Sequence, residues 1–135
     1  MMDDSRTKMK FQQLSPILWT KNLQETISFY ETVLGFKAES NFPKFASLCR
    51  ENAELMFIMS TDDEEDDGNS VFFSKPLLTG SIYIFMEQVD QFWLLVKDKA
   101  KIKTPIDDRA YLMRDFSIFD NNGYEIVFGQ DISKP

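Results

Sequence analysis

Few side chains in this sequence can do chemistry, and their types restrict what that chemistry is. There is no histidine, one cysteine (Cys49), and a surplus of acids that leaves a net charge of −7. Without histidine there is no serine-type triad with an imidazole base, no histidine proton relay and no histidine metal site. With a single cysteine the usual zinc sites are excluded as well, and no internal disulfide can form. Any reaction must use carboxylates, lysine, tyrosine or a bound cofactor. The most conspicuous acid is Glu125, in the stretch "DNNGYEIVFGQ" (120–130), where it is flanked by strand-forming Tyr124, Ile126, Val127 and Phe128. A glutamate there is a metal ligand, a catalytic carboxylate or the outward face of a strand.

Other candidates carry less. "TDDEEDDGNS" (61–70) has the composition of a calcium loop but not its spacing, because the twelfth position counted from Asp63 is Ser74 and not glutamate. It reads as a solvated acidic loop. Cys49 has no histidine partner and reads as a small buried hydrophobe. Arg114-Asp115 reads as a local ion pair without a chemical role. Asp90 suits the positive end of a helix, and Lys97, Lys99, Lys101 and Lys103 form a modest basic patch. The acidic total, with a sequence pI near 4.6, argues against nucleic acid as a partner.

The elements that must position these residues follow from periodicity. The apolar fraction of 43% is that of an ordinary globule, and no apolar run approaches the roughly 20 residues that span a bilayer. The N-terminal "MMDDSRTKMK" lacks the apolar core of a secretory signal, so a cytoplasmic protein is expected. "SPILWTK" predicts a strand. Asn22 then caps a helix through "LQETISFYETVL", whose Leu23, Ile27, Tyr30 and Leu34 recur at helical spacing, and Gly35 ends it. Three strands follow in "FKAESNF", "KFASLCRE" and "AELMFIMS". The order then repeats: strand "SIYIFME", helix "QVDQFWLLVKDKA", short strand "KIKTPI", a turn at "DDRA", and the strands "YLMRDFSIFD" and "YEIVFGQ". "SPILWTKNLQETI" overlies "SIYIFMEQVDQFW" 66 residues on, and "FASLCREN" overlies "FSIFDNN" 70 residues on.

The prediction is an α+β fold of two βαβββ modules sharing one core, in a single domain over 1–135. The first module covers about 12–60, an acidic linker 61–79, and the second module about 80–132. With "NLQETISFYETVLGF" in the first half and "DDRAYLMRDFSIFDNNGYEIVFGQ" at the end, the sequence resembles the vicinal oxygen chelate superfamily of glyoxalases, extradiol dioxygenases and bleomycin-resistance proteins. It is most similar to the bleomycin-resistance-like branch. The resemblance implies paired curved mixed sheets, a homodimer, and metal ligands at four positions in the metal-dependent members. Here those positions fall on Ser15, Phe57, Ser81 and Val127, none of which suits a divalent ion. The expectation is therefore a metal-free pocket with no cofactor.

Strand alternation from those positions turns Ile17, Trp19, Leu55, Phe57, Met59, Tyr83 and Phe85 inward and Glu54 outward. Trp19, Phe57, Tyr83 and Phe85 then line an aromatic pocket with Glu125 at its rim, and the resemblance implies that Tyr111 and Met113, at positions where bleomycin-resistance relatives contact ligand, cap one end. The function this suggests is sequestration of an aromatic or cationic drug or metabolite, with no nucleic-acid or membrane partner. The alternative is an enzyme of the same superfamily, lyase-like or dioxygenase-like, with an atypical or absent metal site.

Overall fold

The computed structural model describes residues 9–59 and 77–134. The acidic loop, with most of the predicted linker, lies outside the described residues. Within them the chain forms β1 (Ile17–Thr20), α1 (Leu23–Thr32), β2 (Lys37–Phe42), β3 (Phe45–Arg50) and β4 (Ala53–Met59), then β5 (Ile82–Phe85), α2 (Val89–Val96), β6 (Lys101–Asp108), β7 (Met113–Phe119) and β8 (Glu125–Asp131). The strands make two four-stranded mixed sheets with the same order, β1-β4-β3-β2 and β5-β8-β7-β6. In each, the first strand runs parallel to the last and the rest are antiparallel. This is the βαβββ duplication expected from the sequence.

Local chemistry sets the helix ends. Asn22 Oδ1 accepts the Glu25 amide at 3.0 Å, one of the donors a helix N-terminus leaves unpaired. Gly35 takes φ +75°, while the Phe36 amide closes back on the Tyr30 carbonyl at 2.9 Å. A side chain at 35 would also collide with Arg50, whose Nη1 donates to the Leu34 carbonyl at 2.6 Å. The second helix has Gln88 in the left-handed region, and it is Gln130 from β8 that accepts the Val89 amide at 3.0 Å.

One face of each sheet packs on its helix, and the two sets of buried side chains form one core. Leu18, Ala46, Leu48, Leu55 and Phe57 meet α1, and Phe116, Ile118, Ile126 and Phe128 meet α2. Tyr30 anchors the first half, with ring contacts to Phe36 and Phe57 at 5.4 and 5.3 Å. Arg50 joins the halves at one end by lying over the Phe92 ring at 5.3 Å. At the other end they are clasped by the β7–β8 turn. There Tyr30 Oη donates to Asp120 Oδ2 at 2.6 Å, Thr20 Oγ1 donates to Asn122 Oδ1 at 2.8 Å, and Tyr124 Oη donates to the Trp19 carbonyl at 2.7 Å. Burial raises the Asp120 carboxyl above its ordinary value despite the bonds it accepts.

The duplication has a one-residue irregularity with a large consequence. Ser47 and Ser117 are counterparts, since each sits on the third strand of its sheet opposite the fourth-strand residues Met56 and Val127. Between these paired residues the β3–β4 hairpin is one residue shorter than the β7–β8 hairpin, nine positions from Ser47 to Met56 against ten from Ser117 to Val127, so the counterpart of Val127 is Met56 and not Phe57. One residue inverts every side chain on a strand. Phe57 and Leu55 therefore point into the core, Phe57 being 0% exposed, and Glu54 points to the open face. This corrects the expectation that Phe57 lines a pocket and that Glu54 faces away from it.

Candidate ligand-binding site

The second sheet carries the constellation. Across its open face one cross-strand rung runs Tyr83 (β5), Val127 (β8), Ser117 (β7) and Thr104 (β6). Irregularities on either side of Thr104 in β6 place it opposite Ser117. One rung further, Phe85 pairs with Gly129 and Gly129 with Asp115. On the other side of the central rung, Glu125 pairs with Phe119. A pocket of about 250 Å³ opens above these residues, with Arg109 and Tyr111 closing its side.

Asp115 organises that side. It is 3% exposed and accepts from Tyr83 Oη and Tyr111 Oη on one carboxylate oxygen, both at 2.8 Å, and from Arg109 Nε on the other, also at 2.8 Å. Arg109 is held in turn by the Pro105 and Asp115 carbonyls, at 2.8 and 3.0 Å from Nη2. Burial pushes the Asp115 carboxyl up, but the bonds from Arg109, Tyr111 and Tyr83 outweigh it and hold the group below the usual carboxylate range. Burial first, and then the carboxylate it donates to, raises the Tyr83 hydroxyl well above its ordinary value; for Tyr111 the bond to Asp115 is the larger cause. Gly129 makes the arrangement possible. A Cβ at 129 would lie 2.0 Å from Tyr83 Oη, so only a bare backbone lets the Tyr83 ring cross β8 to reach Asp115 on β7.

The expected site residues separate into groups. Tyr83, Tyr111 and Glu125 come together in the pocket, along with Ser81 and Val127. Phe85 stands beside Tyr83, ring centroids 4.9 Å apart, and is 72% exposed. It borders a wider cleft of about 1000 Å³ that runs along the free edge of β5, past Phe36 and Phe92. Trp19 sits on the open face of the first sheet, paired with Ile58, and is not among the residues around the pocket. Met113 is buried on the pocket side of β7 without lining it. Polar groups converge on the smaller pocket, whereas more of the wider cleft's wall is apolar than polar.

Arg109, Asp115, Ser117 and Thr104 were missed by strand alternation. Arg114-Asp115 is not the local ion pair expected, since the two side chains leave opposite faces of β7. Asp115 pairs with Arg109, and Arg114 pairs with Asp108 and Asp90 at 2.5 and 3.0 Å. Cys49 is half-buried on the open face, 3.6 Å from Ser47 Oγ, and not a core residue. Alternation from Ser117 could have placed Asp115 in the pocket, but nothing local in the sequence announces that Arg109 turns back to meet it.

The first sheet shows what the second has gained. At the positions of Tyr83, Gly129 and Asp115 it carries Ile17, Ile58 and Phe45. What remains polar there is Glu54, which accepts from Ser15 Oγ at 2.5 Å and from Ser47 and Gln13. Those bonds, from Ser15 and then Ser47, hold the Glu54 carboxyl below its ordinary value.

Two mixed βαβββ sheets around one core, with a polar pocket on an open sheet face, define a fold shared by a broad group of small-molecule enzymes and binding proteins. The chain belongs to the Glyoxalase/Bleomycin resistance protein/Dioxygenase superfamily, which it matches over residues 11–128. Among solved structures it is similar to a glyoxalase/bleomycin resistance protein/dioxygenase from Nocardioides, at 16% identity, TM-score 0.71, covering 97% of this chain and 91% of that one. A protein of the same description from Alicyclobacillus acidocaldarius matches at 17% identity, TM-score 0.70, covering 90% and 92%. TioX from Micromonospora sp. ML1 matches at 14% identity, TM-score 0.68, covering 92% and 99%. At these identities the likeness shows the fold alone. No curated protein matches the sequence.

Metal-dependent relatives implied by the resemblance would hold an ion at the four positions now occupied by Ser15, Met56, Ser81 and Val127. Two neutral hydroxyls, a thioether and a methyl-bearing side chain do not fit a divalent cation. Among the described residues no group of three or more His, Cys, Asp or Glu side chains is placed to hold one.

Proposed function

We propose that the protein is a small-molecule binding protein that sequesters an aromatic or cationic ligand on the open face of its second sheet, without a bound metal. The observation carrying this reading is the engagement of Asp115. Its carboxylate takes three donors, and both tyrosine protons are directed at it rather than into the pocket. A carboxylate held charged and a tyrosine held neutral make a rigid wall, not an acid–base pair poised near neutral pH. The Tyr83 ring is thereby fixed beside Phe85 as a flat apolar surface, the kind of feature that orients aromatic ligands.

A second copy of the chain completes the molecule in this reading. Ile17, Phe42 and Ile58 are exposed on the first sheet's open face, and Phe85 on the second. Covering such surfaces is the usual reason soluble proteins carry them. An enzyme of the same superfamily is the second reading, favoured only by Glu125, a half-buried carboxylate paired with Lys103 at 3.6 Å among the described residues.

A thermal-shift screen of aromatic and cationic compounds tests the binder. Ligands that raise the melting temperature of the wild type, and fail to do so once Gly129→Val forces Tyr83 aside, are the expected result. A screen without any shift contradicts it. Elemental analysis tests the metal-free part of the reading: the protein should contain no stoichiometric transition metal, and one equivalent of chelator-resistant zinc, nickel or iron would contradict it.

A further inference from the structure

The hydrogen-bonding groups around the pocket divide unevenly into those already engaged and those still open. The protons of Tyr83 and Tyr111 are taken by Asp115, which leaves each phenol oxygen presenting lone pairs. Arg109 uses Nε and Nη2 on Asp115 and backbone carbonyls, and its positive charge is matched by the Asp115 carboxylate in contact with it. Glu125 is the other charge at the pocket. On the floor, Ser117 is 2% exposed, and its Oγ has no hydrogen-bond partner among the described residues. Buried hydroxyls are normally hydrogen-bonded, so Ser117 Oγ is a contact that a ligand on the pocket floor can take up. What remains open therefore includes the phenol oxygens and Ser117 Oγ, together with one negative charge, that of Glu125, which only the half-exposed Lys103 meets among the described residues.

Lys103 shows what that charge attracts. Its ammonium reaches Glu125 at 3.6 Å from β6, across the intervening strand β7, and it is itself half-exposed. An ammonium arriving from the pocket would meet the same carboxylate, and the body carrying it would run along β8 from Glu125 past Ser117 toward the Tyr83 ring.

We infer that the pocket selects ligands bearing a primary ammonium on a flat apolar body, with Glu125 as the counter-charge, the Tyr83 ring as the flat surface and Ser117 Oγ as the floor contact. This rests on the small-molecule reading above and names its ligand class. Lys103 is then a competitor for Glu125, not a contact of the ligand.

Three probes of nearly equal shape decide it by calorimetric titration: 2-phenylethylamine, 2-phenylethanol and phenylacetate. The amine should bind at least tenfold more tightly than the alcohol, and the acid most weakly. Glu125→Gln should bring the amine to the level of the alcohol, removing the tenfold gap between them. Lys103→Met should tighten the amine severalfold, a gain that damage to the fold could not mimic. If the alcohol equals the amine, or the amine's advantage survives Glu125→Gln, the ammonium inference is overturned and the binding reading stands. If none of the three binds, both fall.

Discussion

At the scale of single residues, Asp115 determines the shape of the pocket. Hydrogen bonds to a charged group contribute about 1.5–3 kcal/mol each when one partner is removed, so Asp115→Asn should be clearly destabilising at neutral pH. The pH dependence has a definite sign. Because the folded-state carboxyl lies below its unfolded value, its contribution is present above the unfolded value of about 3.9 and is lost as pH falls through the folded one. Denaturant titrations of wild type and Asp115→Asn should thus differ most at neutral pH and converge below about pH 4; a constant gap down to acid pH would contradict the assignment. Strand alternation from the ligand-equivalent positions placed Tyr83 and Glu125 on the open face of β5 and β8, and the family resemblance pointed to Tyr111, which lies between β6 and β7. Asp115 was set aside because its sequence neighbour Arg114 offered a cheaper partner. Adjacent strand residues face opposite ways, and the true partner, Arg109, comes from across a turn.

At the scale of elements, the turn "DNNG" does more than reverse the chain. Asp120 Oδ1 accepts the amides of Asn122 and Tyr124 at 2.8 and 2.9 Å, while Oδ2 takes the Tyr30 hydroxyl from the other module. Tyr30→Phe leaves that oxygen buried and unpaired, which costs about 1–3 kcal/mol. Asp120→Asn behaves oppositely. Its folded-state carboxyl is raised, so the acid stabilises the fold below the unfolded value and that contribution is lost as pH rises through the folded one. An amide keeps both amide contacts and can donate to Tyr30. Thermal melts at pH 8 should show Asp120→Asn at least as stable as wild type, with its advantage vanishing near pH 4; a large loss at pH 8 would show that the charge itself is needed. The start and the glycine end of α1, and the duplication, were readable from a capping residue and apolar spacing, whereas α2 starts at Gln88 without a side-chain cap of its own. The face of β4 was not readable, because a hairpin one residue shorter than its counterpart carries no strong sequence signal and yet inverts Phe57 and Glu54.

The whole molecule is two modules clasped at both ends around a common core, with both sheets presenting open faces. Sheet one offers apolar Ile17, Phe42 and Ile58, and sheet two offers the polar pocket flanked by Phe85. Sedimentation at micromolar concentration should give the mass of two chains; monomer alone would contradict the pairing. The architecture was legible early because duplication leaves two copies of one pattern, whereas the sheet that bears the site follows from three substitutions, Ile17 to Tyr83, Phe45 to Asp115 and Ile58 to Gly129. The central claim is that small molecules bind there. Amide chemical-shift mapping during titration with the strongest ligand from the thermal screen tests it most directly. The account predicts perturbations centred on Tyr83, Ser117, Glu125 and Val127, in β5, β7 and β8. Shifts confined to the first sheet, or none at saturating ligand, would contradict it.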